Sequence, residues 1–495
     1  MDNINKKIFS GAVTMVLLRF VIKFLGLIST LVLARLITPG DFGLVAIVMS
    51  IYALIEMLKA FGFDVVLIQK NNPSKAMYNT TWTIQLAFGV LAAVIMYLIS
   101  PYIANTFDDD RLEALSQVIA LLFLINGTVN IGIVNFRKEL NFRREFIYMS
   151  LPKVFAVITT ITVAIIHRSY WSLICGMLVS NISQAALSYI FSKFRPKFCL
   201  SEVNELFSFS SWLLIGNLLT YVNVRAKDLL VGKLLGAKFT GLISVADEIA
   251  SLPTTEMVAA INRATYPGYT KVAHDNKALK ALFLNALSFI AVLGIPASVG
   301  MSLCAPYLVP IILGDQWLEV TPLIQILGLA YAIICINTNA GYIFLARGKP
   351  KINALINLAR AIILLSLMLI LIPVFGIIGL PIALLITALL MFPTYFYLLK
   401  KEIKLSLYEY TSVLWRPLLS SIIMFLATYG FFWGVSIEQV VNAETVSLLD
   451  FMSIVFVGAI IYLITLTLLW LISKKPKGAE KLIIQKMTSR FIKIN

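Results

Sequence analysis

The sequence predicts an all-α polytopic membrane protein with about fourteen transmembrane helices. Three observations predict it. Of 495 residues, 59% are hydrophobic and only 13% are charged, where a soluble domain carries roughly 25% charged residues. The apolar residues collect in stretches of the roughly 20 residues that a helix needs to cross a bilayer core. The lysines and arginines outside those stretches fall almost entirely into alternate connections. Runs such as 361–372 stay apolar without the every-second-residue alternation of a membrane β-barrel.

The spans read, in order, 9–36, 41–65, 79–103, 114–135, 147–166, 170–192, 206–235, 241–268, 281–312, 321–346, 352–373, 376–398, 409–435 and 450–473. The first is too long for the short apolar core of a secretory signal and reads as an uncleaved span. One set of connections, with the N-terminal segment and the tail, holds 27 Lys and Arg, and the opposite set holds 3, namely Arg111, Arg168 and Lys238. The positive-inside rule then places both termini of this multi-pass protein in the cytoplasm. The net charge of +16 is a matter of topology, since no soluble basic domain exists to bind nucleic acid. The outer connections are short, which leaves no room for a catalytic domain and disfavours an enzyme. Cys175, Cys199, Cys304 and Cys335 lack CxxC spacing, and His167 and His274 lie far apart, so no metal site is expected.

The chain repeats itself at a shift of 198 residues. Phe9-Ser10 meets Phe207-Ser208, Arg35-Leu36-Ile37 meets Lys233-Leu234-Leu235, and Gly43-Leu44 meets Gly241-Leu242. Span 1 thus matches span 7 and span 2 matches span 8. An even number of spans separates the copies, so the halves share one orientation, the parallel-repeat design of some secondary transporters. The expected organisation is two six-helix lobes, 1–200 (spans 1–6) and 201–404 (spans 7–12). Spans 13 and 14 and a basic cytoplasmic tail follow at 405–495.

Charges inside spans are expensive, roughly 2.5–3.5 kcal/mol near the bilayer centre, and usually face a wet cavity or a partner. Arg35, Lys59, Lys233, Arg263 and Arg416 lie near span ends, where snorkelling accounts for them. Arg19 and Lys23 share a helix face, and span 7 carries the matching stripe Asn217, Tyr221, Arg225 and Asp228. Lys153 in span 5 and Arg360 in span 11 sit six spans apart. Together with Arg19, Lys23 and Arg225 they suggest a cationic chamber, suited to an anion such as phosphate. Glu56, Asp247 and Glu248 add acids in spans 2 and 8. Two readings of these acids stand: an ion-coupling or hydrogen-bonding lining of the cavity, or structural partners of Arg225, Lys227 and Lys23.

ARLITPGDFGLVAI at 34–47, FRKELNFRREF at 136–146 and KDLLVGKLLGAKFTGLISVADEIASLP at 227–253 resemble bacterial polysaccharide exporters. These are the Wzx-type flippases of lipid-linked oligosaccharides, in the multidrug/oligosaccharidyl-lipid/polysaccharide exporter superfamily. The colanic and teichuronic acid exporters are the most similar branch. The resemblance implies a MATE-like fold and export by alternating access. The implied cargo is an undecaprenyl-diphosphate-linked repeat unit, its diphosphate in the cationic chamber and its tail in membrane lipid. It implies no cofactor, a proton or sodium gradient as driving force, and a polysaccharide polymerase and chain-length regulator as partners. The rival readings are a multidrug or cation antiporter and the peptidoglycan lipid-precursor flippase of the same superfamily.

Overall fold

The computed structural model of the protein describes residues 21–59, 73–139, 141–203, 221–433 and 447–475, with positions 18, 67, 70, 218 and 478–480. Arg19 and Asn217 lie outside the described residues. Every regular element among them is helical. Two compact units divide the chain, Met1–Gly241 and Leu242–Asn495.

The first unit opens with α1 at residues 21–36, then α2 (Pro39–Lys59), α3 (Lys75–Phe107) and α4 (Arg111–Gly127). A 3-10 turn at Ile131–Ile133 leads into the short α5 (Val134–Lys138), followed by α6 (Phe142–His167), α7 (Trp171–Phe191) and α8 (Ala226–Leu235). The unit boundary falls inside α9 (Ala237–Lys271). The second unit continues with α10 (Asn276–Leu308), α11 (Thr321–Ala346), α12 (Pro350–Phe375), α13 (Gly379–Ile403), α14 (Leu407–Trp433) and α15 (Leu448–Ile472).

Several helix starts carry polar caps in the connections. The Ser74 hydroxyl accepts from the Met77 N–H at the head of α3, and Asp275 accepts from the N–H groups of Lys277 and Ala278 at the head of α10. Ser447 and Asp450 form a reciprocal capping box on α15. Such caps satisfy the orphan N–H groups of a first turn. Among the described residues, nine helical stretches are long and apolar enough to span a bilayer, ten if the bent pair α4–α5 counts as one. One of the nine, Pro350–Ile403, contains both α12 and α13, folded onto each other after Gly376 at φ 59°. Apolar side chains stay exposed in helical stripes, such as Leu91, Val94 and Leu98 on α3 and Leu355, Leu358 and Ile362 on α12. These are the faces that meet lipid.

The fourth span departs from expectation. Instead of one helix over 114–135, the chain breaks after Gly127 and turns by 61° into the segment 131–138. Gly127 is pressed against Gly89 of α3, where a Cβ on Gly89 would meet the Gly127 Cα at 2.9 Å. Asn130 then caps the next segment. Its side chain accepts from the Gly132 N–H at 2.9 Å and donates to the Phe194 carbonyl at 2.7 Å. The break falls at Asn126-Gly127-Thr128-Val129-Asn130, a polar stretch too short for a span-length hydropathy window to register.

The repeat has a physical counterpart within the first unit. A Cβ on Gly43 would overlap the Ala237 carbonyl oxygen, and a Cβ on Gly241 would overlap the Pro39 carbonyl oxygen. Ala237 follows Pro39 by 198 residues, and Gly241 follows Gly43 by the same 198. Two segments that contact each other reciprocally through equivalent residues are related by a local approximate two-fold. Segments 39–43 and 237–241 therefore cross backbone to backbone, which only residues lacking Cβ permit.

Arg416 requires a correction. It does not snorkel. It is 6% exposed on α14 and pairs with Glu480, Nε to Oε1 at 3.0 Å and Nη2 to the same oxygen at 2.9 Å. Glu480 is itself 1% exposed and also accepts from the Ser288 hydroxyl of α10. The residues just beyond α15 thus belong partly to the packed second unit, and Ala479 sits in its core.

Gly43→Ala and Gly241→Ala should each lower the thermal unfolding midpoint of the purified protein. Overpacking against backbone costs at least the roughly 1–3 kcal/mol of a core overpacking. Gly26→Ala, with open space around it, should leave the midpoint nearly unchanged. Arg416→Ala should cost about 3–5 kcal/mol by stranding a buried carboxylate, whereas Arg416→Met combined with Glu480→Leu should recover most of that loss.

Candidate substrate-handling sites

Three further polar clusters stand out among the described residues, and each lies within one unit. The first surrounds Ser50 on α2. Asp228 on α8 is 3% exposed and accepts from the Ser50 hydroxyl at 3.3 Å, while the Tyr221 hydroxyl donates to the Ser50 carbonyl at 3.1 Å. The Arg225 guanidinium, 45% exposed, lies 3.7 Å from the Asp228 carboxylate. Tyr221, Arg225 and Asp228, foreseen as one stripe, do converge, and Asp228 acts as the structural counter-charge of Arg225. Lys227 is buried beside them. Lys23 is half-buried on α1.

The second cluster lines a cavity of about 520 Å³ between α2, α3, α4, α6 and α7. Its polar wall consists of Tyr52, Glu56, Gln85, Asn126, Tyr148, Lys153, Ser180, Asn181 and Gln184. Glu56 and Lys153 were foreseen, and they share this cavity rather than the Ser50 cluster, none of whose residues lines it. The helix break lies in its wall. The carbonyls freed at the end of α4 are taken up by Gln85, whose Nε2 donates to Asn126 O at 2.9 Å and Val129 O at 3.2 Å. Asn126 Nδ2 donates to the Tyr52 hydroxyl at 2.8 Å, and that hydroxyl donates to Glu56 at 3.4 Å. Tyr52 stacks on Phe123 with ring centroids 4.2 Å apart, which fixes the phenol. Irregular backbone at membrane depth survives only where it is buried in protein or lines a polar cavity, and both conditions hold here.

The third cluster is in the second unit. The Tyr331 hydroxyl on α11 donates to Asp247 of α9 at 2.6 Å, and Arg360 of α12 is close enough to act electrostatically on both Tyr331 and Tyr395. Arg360 also lines a small cavity with Asn337, Thr338 and Thr387. Asp247 and Arg360 are thereby linked through a tyrosine that sequence reasoning had passed over. Glu248 follows on the next position of α9 and is half-buried. Arg35, Lys233 and Arg263 are exposed, in keeping with the snorkelling expected of them.

The neutral groups were missed most. Gln85, Asn126, Asn181 and Gln184 are uncharged amides in apolar helices. The available signal was their presence inside spans, because any polar group there needs a partner or a cavity.

A model of the polysaccharide biosynthesis protein family matches residues 32–322. The chain belongs to that family. It is 24% identical to the lipopolysaccharide biosynthesis protein WzxC of Escherichia coli over 439 residues, 86% of this chain and 88% of that protein. The lipid II flippase MurJ in an inward closed conformation shares the fold with a TM-score of 0.71 at 15% identity, covering 92% of this chain and 98% of that one. An inward-facing MATE-family multidrug transporter matches at 0.58 and 14% identity, over 78% of this chain and 96% of that one. The expected fold, a polytopic helical protein built like these transporters, is the observed one.

Gln85→Ala should strand the carbonyls of the α4 break. A cost of about 1–3 kcal/mol is expected for buried acceptors left without a donor, read as a lower unfolding midpoint in detergent. Gln85→Glu, which offers no N–H, should behave alike.

Proposed function

We propose that this protein is a flippase that carries a polyprenyl-diphosphate-linked oligosaccharide from the cytoplasmic to the outer leaflet of the cytoplasmic membrane, for assembly of a surface polysaccharide. The observation that carries the reading is membership of the polysaccharide biosynthesis protein family over more than half the chain, joined to the helical fold of a lipid-linked-precursor flippase. It is a transporter and not an enzyme in this reading. The oligosaccharide is built on the cytoplasmic face, and the head group crosses while the polyprenyl tail stays in lipid.

The cation-antiporter reading is weaker on chemistry. A cationic drug needs an acid available for pairing, and here Asp228 is held by Ser50 and Arg225, Asp247 by Tyr331, and the one carboxylate in the large cavity, Glu56, accepts from the Tyr52 hydroxyl and shares the wall with Lys153. Arg19, Lys23 and Arg225 of the first unit and Arg360 of the second are each proposed as contacts for the diphosphate, which favours several cations over one, while Lys153 is assigned to the separate cavity of the first unit. The 27-to-3 distribution of basic residues supports cytoplasmic termini. Alternating access, coupling to a proton or sodium gradient, and cooperation with a polymerase and chain-length regulator complete the proposal.

Deleting the gene should cause one complete lipid-linked repeat unit to accumulate, quantified by mass spectrometry of extracted lipids, while surface polymer is lost. Complementation with Lys23→Ala or Arg225→Ala should restore polymer about tenfold less well than the native gene, the equivalent of one charge-assisted hydrogen bond of about 1.4 kcal/mol. Intact polymer with new drug sensitivity, and no accumulated lipid, would favour the antiporter.

A further inference from the structure

The cavity in the first unit has the wrong chemistry for a diphosphate and the right chemistry for sugar hydroxyls. An anion of that charge is held by several cations or by a fork of guanidinium donors. This wall offers one cation, Lys153, against one carboxylate, Glu56. The rest is neutral and both donates and accepts. Gln85 spends its amide hydrogens on the carbonyls of the α4 break, which leaves its own carbonyl oxygen as an acceptor. Asn126 and Asn181 each donate within the protein, to the Tyr52 hydroxyl and to the Met177 carbonyl. Each keeps an amide carbonyl and a second N–H. Gln184 stands beside the 4% exposed Tyr148. Carboxamides paired in this way match hydroxyl groups, which themselves donate and accept.

Size and position agree with that chemistry. The volume of about 520 Å³ falls in the range of roughly 300–1,000 Å³ usual for small-molecule sites. The wall contains the only bent helix pair found among the described residues, and interrupted spans mark substrate sites in transporters. Gln85 is ten residues into α3 from Lys75, roughly 15 Å along the helix. With the orientation proposed above, that depth is in the cytoplasmic half, where cargo is loaded.

Resting on the flippase reading, we propose that this cavity is a glycan subsite. It holds sugar residues of the lipid-linked oligosaccharide through the carboxamides of Gln85, Asn126, Asn181 and Gln184, separately from the cationic residues that take the diphosphate. The site therefore selects cargo by its sugars, while the charge contacts serve any polyprenyl diphosphate.

The test uses the full-length protein in nanodiscs and two probes. One is undecaprenyl diphosphate. The other is the same lipid bearing the repeat-unit glycan, purified from the deletion strain. Binding is measured for the native protein, for Asn181→Leu with Gln184→Leu, and for Asn181→Ala as a milder change. Unfolding midpoints establish that each variant is folded. The double variant should bind the glycan-bearing lipid about tenfold more weakly, with affinity for bare undecaprenyl diphosphate unchanged, and Asn181→Ala should shift the same ratio less. Equal losses for both lipids, or no loss for either, would overturn the subsite. Failure of the native protein to bind either lipid would instead overturn the flippase reading itself, and the subsite with it.

Discussion

Segments 39–43 and 237–241 cross with no side chain between them, and much of the first unit takes its register from that crossing. Gly43 and Gly241 each admit the other segment's backbone. With the head of α2 pinned there, its later turns have fixed destinations. One turn on, Ile47 packs over Gly232 of α8. Ser50, on the same face, receives Asp228 and Tyr221. The opposite face carries Tyr52 and Glu56 into the large cavity. A single helix thus serves a charge cluster on one side and an amide-lined cavity on the other, and its position depends on two missing Cβ atoms.

The carboxylates inside so apolar a body each sit beside a counterpart. Asp228 has Ser50 and Arg225, Asp247 has Tyr331, and Glu480 has Arg416 and Ser288. Desolvation makes an unmatched charge costly, so pairing is the condition for its presence. The exposed Arg225 shows how a paired cation can still present itself to an anion: its carboxylate partner is buried below it, at the long distance of 3.7 Å. The cavity follows another rule, with hydrogen-bonding capacity distributed over neutral amides.

Much of the fold was legible in the residues. Span limits such as 321–346 coincide with α11 at Thr321–Ala346, because a proline in the first turn and apolar length act locally. The 198-residue register was legible in the equivalence of Gly43 and Gly241, but their reciprocal contact came only with the fold. The α4 break left a local signal in Asn126-Gly127-Thr128 that an otherwise apolar stretch outweighed, and what fixes the bend, the fit of Gly127 against Gly89 and the reach of Gln85, is long-range. Likewise Arg416 looked like a terminal snorkelling residue because its partner follows much later in the chain. Charge drew attention to Glu56 and Lys153. The amides beside them carry no charge and no periodicity, and only the folded arrangement shows that they converge.

The Arg416–Glu480 pair also has a history in time. Synthesis delivers the arginine to the membrane 64 residues before the glutamate that neutralises it. During that interval the α14 guanidinium must keep its water or borrow another anion, so α14 cannot settle into its final burial. Closure of the second unit therefore waits on a residue beyond the last described membrane helix, and the segment after α15 completes the assembly of helices made well before it.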